Sequence, residues 1–128
     1  MANEIKYNLS MSLSNGSLVD SFSPSGLTAN QTNQRMVRNV QSVAAGVLGA
    51  GAGDAIDLGG VVVPGLATFA NLDLINYIDV GVQVAGVFIP FVHLLAGQYS
   101  GPLFLGTAAP FAMANTGAVK LFYIIYER

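Results

Sequence analysis

The chain has 128 residues, of which only 9% are charged against a typical ~25%, and five basic and seven acidic residues leave a formal charge of −2. That length suits one domain spanning 1–128, able to bury a core without metal or disulfide staples. So few cations exclude a phosphate-tracking surface and with it nucleic acid as a partner, and the absence of cysteine excludes a disulfide framework and a thiol nucleophile.

Polarity is supplied by Gly, Ser, Asn, Gln and Thr rather than by ions. A soluble monomer normally carries a well-charged surface, so this composition points to a domain that hides part of its surface against neighbours, in an oligomer or a lattice. The opening "MANEIKYNLS" has no cationic stretch followed by an apolar run, which argues against a secretory signal and for synthesis and assembly in the cytoplasm. Val80 to Val119 contains no Asp, Glu, Lys or Arg, yet Gly86, Pro90, His93, Gly97 and Pro102 interrupt it before a ~20-residue apolar span accumulates. A membrane is therefore not an expected partner.

In chain order, "EIKYNLSMSLSNGSLVDSFS" alternates Ile5, Tyr7, Leu9, Met11 and Leu13 with polar residues and then meets Asn15-Gly16, a dipeptide suited to a type I′ turn. A β-hairpin is predicted, with Leu18 and Phe22 on its return strand. Residues 23–34 have no periodicity and read as a loop or a loose edge crossing. "RMVRNVQSVAAG" resumes a strand pattern. The glycines at 46, 49, 51 and 53 are not ordered as a dinucleotide loop and no amphipathic helix follows, leaving a tight or mobile connector.

From Asp54 onward short apolar runs recur at about the 8 to 12 residue spacing of sandwiches and barrels: "DAIDL", "LATFANL", "INYIDVG", "VFIPFVHL", "GPLFLG" and "AVKLFYIIYE". Gly, Pro and Asn turn chemistry separates them. The prediction is an all-β protein, a single antiparallel β-sandwich of jelly-roll type. The run "AVKLFYIIYER" is apolar at nearly every position, so both its faces need cover. Leu121, Tyr123, Ile125 and Tyr126 are the candidates for a subunit interface.

Chemistry is sparse. His93 is the sole histidine, has no GxSxG nearby, and reads as a hydrogen-bonded strand or interface residue rather than a catalytic base. Asp54 and Asp57, or Asp73 and Asp79, offer oxygen ligands for Ca²⁺, but no EF-hand spacing accompanies them. In "FANLDLINYIDVG", Asn71 and Asp73 read as turn formers that bond backbone amides two residues on, and Asp79 as a solvated carboxylate at a strand end. No catalytic, metal or cofactor site is predicted. Tyr77, Tyr99, Phe104, Tyr123 and Tyr126 admit a sugar-stacking platform, with core or interface packing the commoner use.

The arrangement of Pro64, Gly65, Phe69, Asn71, Leu72, Asp73, Asn76, Tyr77, Gly81, Pro90, Phe91, Leu94, Gly97, Gln98 and Glu127, together with the opening "MANEI" and the Asn15-Gly16 turn, resembles the small jelly-roll structural proteins of tailed-bacteriophage virions, of the capsid decoration or cement type. It departs from that pattern at Gln98, where Glu is commoner, and at Val63, where Thr is commoner. The resemblance implies a non-enzymatic homotrimer that binds the major capsid protein on the capsid surface and stabilises an icosahedral head. Met1, Asn3, Ile5, Tyr7, Leu27 and Gln31 are then the expected capsid contacts, residues 1–7 serving as a contact arm. The alternative is a tail or neck module that recognises a host glycan through Tyr99 and Asp79 with a loop cation.

Overall fold

The computed structural model describes residues 5–31, 34–106 and 108–128. They form twelve strands and no helix, and they divide into two compact units, Met1–Thr32 and Asn33–Arg128.

In the first unit, β1 (Ile5–Tyr7) pairs antiparallel with β4 (Leu27–Ala29), setting Ile5 opposite Ala29 and Tyr7 opposite Leu27. The stretch expected to be loop thus contains a strand. Between them lies a separate hairpin of β2 (Met11–Asn15) and β3 (Leu18–Phe22). Its turn is one residue later than the sequence implies: Asn15 pairs with Leu18, so the two central residues are Gly16 and Ser17. Gly16 has φ of 60° and no other residue of this turn is positive, the signs of a type II′ rather than a type I′ turn.

The second unit holds two four-stranded antiparallel sheets. The first runs β10 (Leu103–Phe104), β7 (Pro64–Asn71), β12 (Val119–Glu127), β5 (Met36–Val43). The second runs β6 (Asp54–Ala55), β11 (Phe111–Ala114), β8 (Ile78–Val84), β9 (Val87–Leu94). Strand β11 lies in a Pro- and Ala-rich stretch that reads as a turn from sequence.

Side chains alternate across each strand, and the inward set from both sheets meets in one core. Val43, Phe69, Leu121, Tyr123 and Ile125 come from the first sheet, and Ile78, Val80, Leu94, Ala112 and Ala114 from the second. This is an all-β sandwich. Tyr123 carries a polar atom into that core, where its hydroxyl donates to the Asp57 carbonyl at 2.7 Å, satisfying the group that burial would otherwise penalise.

Two local devices shape the second sheet. At the Val80/Gly81 bulge, Gly81 passes so close to β9 that a Cβ would collide with the Ile89 carbonyl. The β8–β9 hairpin turns through Ala85 and Gly86, both with positive φ (51° and 82°), the type I′ pattern.

The connector 46–53 is a packed turn. Gly46 N–H donates to the Ala114 carbonyl, Gly51 N–H to that of Val47, and the Gly51 carbonyl accepts from Phe88. The Met113 side chain lies against Gly46 and Gly51, so a larger residue at either position has to displace it.

Candidate functional site: an apolar outer sheet face

Strand β12 is central in its sheet, flanked by β5 and β7, and its apolar run is split by parity. Leu121, Tyr123 and Ile125 are at 0% exposure inside the protomer's own core, so these three expected interface residues are unavailable to another subunit. Their neighbours Phe122, Ile124 and Tyr126 are the half-buried residues on the other side. Of the four interface candidates, Tyr126 alone faces outward. Phe122 and Ile124 were concealed because a continuous apolar run carries no alternation to say which side is in.

The ladder extends this outer face across the sheet. Phe122 is opposite Val40 on β5 and Ala70 on β7, Ala70 bridges to Tyr99, and Tyr126 is opposite Met36. Phe104 on β10 pairs with Leu66. Met36, Val40, Tyr99 and Phe104 are exposed by roughly half or more. Antiparallel sheets that face water carry polar residues on that side, and this one carries aromatic and aliphatic ones. Its charges are cationic: Arg38, whose guanidinium lies 5.5 Å from the Phe122 ring centre, and Lys120.

The outer face of the second sheet is different. Asp79 sits opposite His93 and Met113, on the side away from the core residues Ile78 and Val80. It is buried at 4% exposure, contrary to a solvated strand end, because the 46–51 turn and Met113 lie beside it. Its Oδ1 is 2.6 Å from Nδ1 of His93, whose ring packs on Tyr77 with centroids 4.5 Å apart. His93 is therefore a hydrogen-bonded strand residue. An adjoining cavity of about 310 Å³ is lined by Val47, Leu48, Tyr77, Asp79, Met113 and Asn115, with no Ser, Thr or Lys among its lining to serve as nucleophile. Asn115 Oδ1 is buried there without a hydrogen-bond partner among the described residues. Tyr99 belongs beside the first sheet, so the structure does not bring it together with Asp79.

The other acids are occupied by backbone amides. Asp54 accepts from Ala44, and Asp57 from Gly59. Asn71 Oδ1 accepts from Asp73 N–H, and its amide donates to the carbonyls of Asn76 and Leu94. Asp73 Oδ1 accepts from Ile75 and Asn76, bonds that hold its carboxyl below the ordinary aspartate range. Among the described residues no three His, Asp or Glu side chains converge on a metal position. Glu127, buried at the end of β12, accepts from Val62 N–H and faces Arg35 at 3.8 Å.

Of the expected capsid contacts, Met1 and Asn3 lie outside the described residues. Ile5 is buried, while Tyr7, Leu27 and Gln31 are half-buried; Tyr7 and Leu27 are cross-strand partners. Residues 5–7 of the expected contact arm form a paired strand, and residues 1–4 lie outside the described residues. No protein-family model, curated protein or solved structure matches the chain.

Proposed function

We propose that this chain is a non-enzymatic structural protein of a tailed-phage virion, a homotrimeric capsid decoration protein that binds the major capsid protein and stabilises the head. The observation that carries the proposal is the apolar outer face of the first sheet, centred on Phe122, Ile124 and Tyr126, which an ion-poor chain needs to cover. The jelly-roll form of the fold belongs to the same proposal. It is supported by the strand orders β5-β12-β7-β10 and β6-β11-β8-β9, which interleave eight consecutive strands as two Greek keys would. The resemblance in the Asn71 to Gly81 and Pro90 to Gln98 stretches supports the virion setting. In this role Tyr7, Leu27 and Gln31 contact the capsid, and each weak contact is multiplied by the lattice.

The test is the native mass of the purified protein followed by co-sedimentation with capsids lacking it. A trimer that saturates capsids is the expected result. A monomer, or an oligomer indifferent to capsids, overturns the proposal.

A second reading, a tail or neck module recognising a host glycan, draws on the cavity beside Asp79, where Tyr77 supplies a ring and Asn115 an unused acceptor. Binding on a glycan array that is lost in Asp79→Ala would favour it, and silence on the array would remove it.

A further inference from the structure

The β2–β3 hairpin is amphipathic, and among the described residues its apolar side is exposed. Directly opposed residues share a face, so Met11 with Phe22, Leu13 with Asp20 and Asn15 with Leu18 form one side of the ribbon. Ser12, Ser14, Val19 and Ser21 form the other. Met11, Leu13, Leu18 and Phe22 are exposed at 46% to 63%, and every residue of both strands is exposed. A two-stranded hairpin is at best marginally stable in water without a packed face, so this one needs a partner surface.

We infer that the apolar side of this hairpin docks on the outer face of the first sheet of a second copy of the same chain. That face has the matching chemistry: an apolar centre of Val40, Phe122, Ile124 and Tyr126, half-buried or exposed. Charge selects the pairing. The only ion on the hairpin's apolar side is Asp20, and the ions on the sheet face are Arg38 and Lys120, none of the three in an ion pair among the described residues. Two sheet faces brought together would oppose cation to cation, and two hairpin faces acid to acid. Hairpin on sheet is the complementary combination.

Such a contact is heterologous, each copy offering one surface and receiving the other, and it closes into a ring when the rotation between copies allows. The inference rests on the reading of the chain as an assembly component and adds the surfaces that hold the copies together.

The experiment places a photo-reactive benzoylphenylalanine at position 22 of the full chain, in a mixture of ¹⁵N-labelled and unlabelled protein. Irradiation is expected to give mixed-isotope cross-links to peptides covering residues 36–40 or 120–126. Asp20→Lys is expected to weaken self-association about tenfold, and Arg38→Asp with Lys120→Glu to restore it in the Asp20→Lys background. Cross-links confined to one chain, cross-links to other regions, or Leu13→Asp/Phe22→Asp protein that keeps its native mass would each overturn the inference. Capsid co-sedimentation is scored separately. Protein that binds capsids without the mixed cross-link keeps the virion role and loses this one, and the mixed cross-link without capsid binding does the reverse.

Discussion

Tyr123 and Phe122 are adjacent in the chain and stand on opposite faces of β12, Tyr123 at 0% exposure in the core with its hydroxyl on the Asp57 carbonyl, and Phe122 outside beneath the Arg38 guanidinium. Substitutions at the two positions therefore report on different things. Tyr123→Asp is expected to prevent folding, since it buries an unpaired charge in place of a ring. Phe122→Asp is expected to leave a folded protein of lower native mass. Circular dichroism and sedimentation velocity separate the outcomes, and a folded Tyr123→Asp protein would contradict the assignment of faces.

The Tyr123 hydroxyl allows a finer measurement. Tyr123→Phe keeps the ring and strands the Asp57 carbonyl, a loss of about 1–2 kcal/mol readable from urea unfolding. Burial also raises the pKa of this phenol, with the Asp57 charge adding to the effect and the Asn39 hydrogen bond opposing it. An ultraviolet titration should show Tyr123 ionising later than an exposed tyrosine.

Ala85 adopts φ of 51° in the β8–β9 turn, a conformation that costs a residue with a Cβ roughly 1 kcal/mol and that Asn tolerates better. Ala85→Asn is expected to stabilise the protein by about 0.5–1 kcal/mol without altering its native mass. An unchanged urea midpoint would argue against strain at this position.

Asp73 gives the acid behaviour a sign. Its folded pKa is depressed, first by the Asn76 amide and then by that of Ile75, so its contribution to stability is complete above the unfolded pKa and lost as pH falls through the folded value. Asp73→Asn retains an acceptor oxygen and removes the titration. The variant should lose part of the wild-type fall in stability below the ordinary aspartate range; an identical acid profile would remove Asp73 from the explanation.

Gly81→Ala tests the bulge. A Cβ there meets the Ile89 carbonyl, backbone against backbone, so β8 and β9 must separate at a cost of about 1–3 kcal/mol or more. Retention of wild-type stability would show that the strands yield easily.

Sequence reasoning reached the fold class because alternation and turn residues are local signals. Asn71 and Asp73 were legible for the same reason, since an Asx side chain finds amides within five residues of itself. Strands β4 and β11 escaped because Leu27–Ala29 and Phe111–Ala114 are short and flanked by Gly, Pro and Ala, so neighbours in the sheet rather than intrinsic preference make them strands. The burial of Asp79 depends on a turn more than twenty-five residues upstream, which no local pattern discloses. In β12 the difficulty was parity: when every residue is apolar, only the partner strands decide that Leu121 goes in and Phe122 goes out.

The position of β12 between β5 and β7 also orders events during synthesis. A nascent chain can emerge from the ribosome through β11 and still lack the strand that joins β5 to β7, so the inward faces of Val43 and Phe69 wait unpaired until residues 119–127 appear. Completion of the first sheet thus waits for residues 119–127 and is dominated by contacts distant in sequence, which makes it correspondingly slow. Until then each incomplete chain exposes strand edges to its neighbours on the polysome, where the same appetite for pairing leads to aggregates.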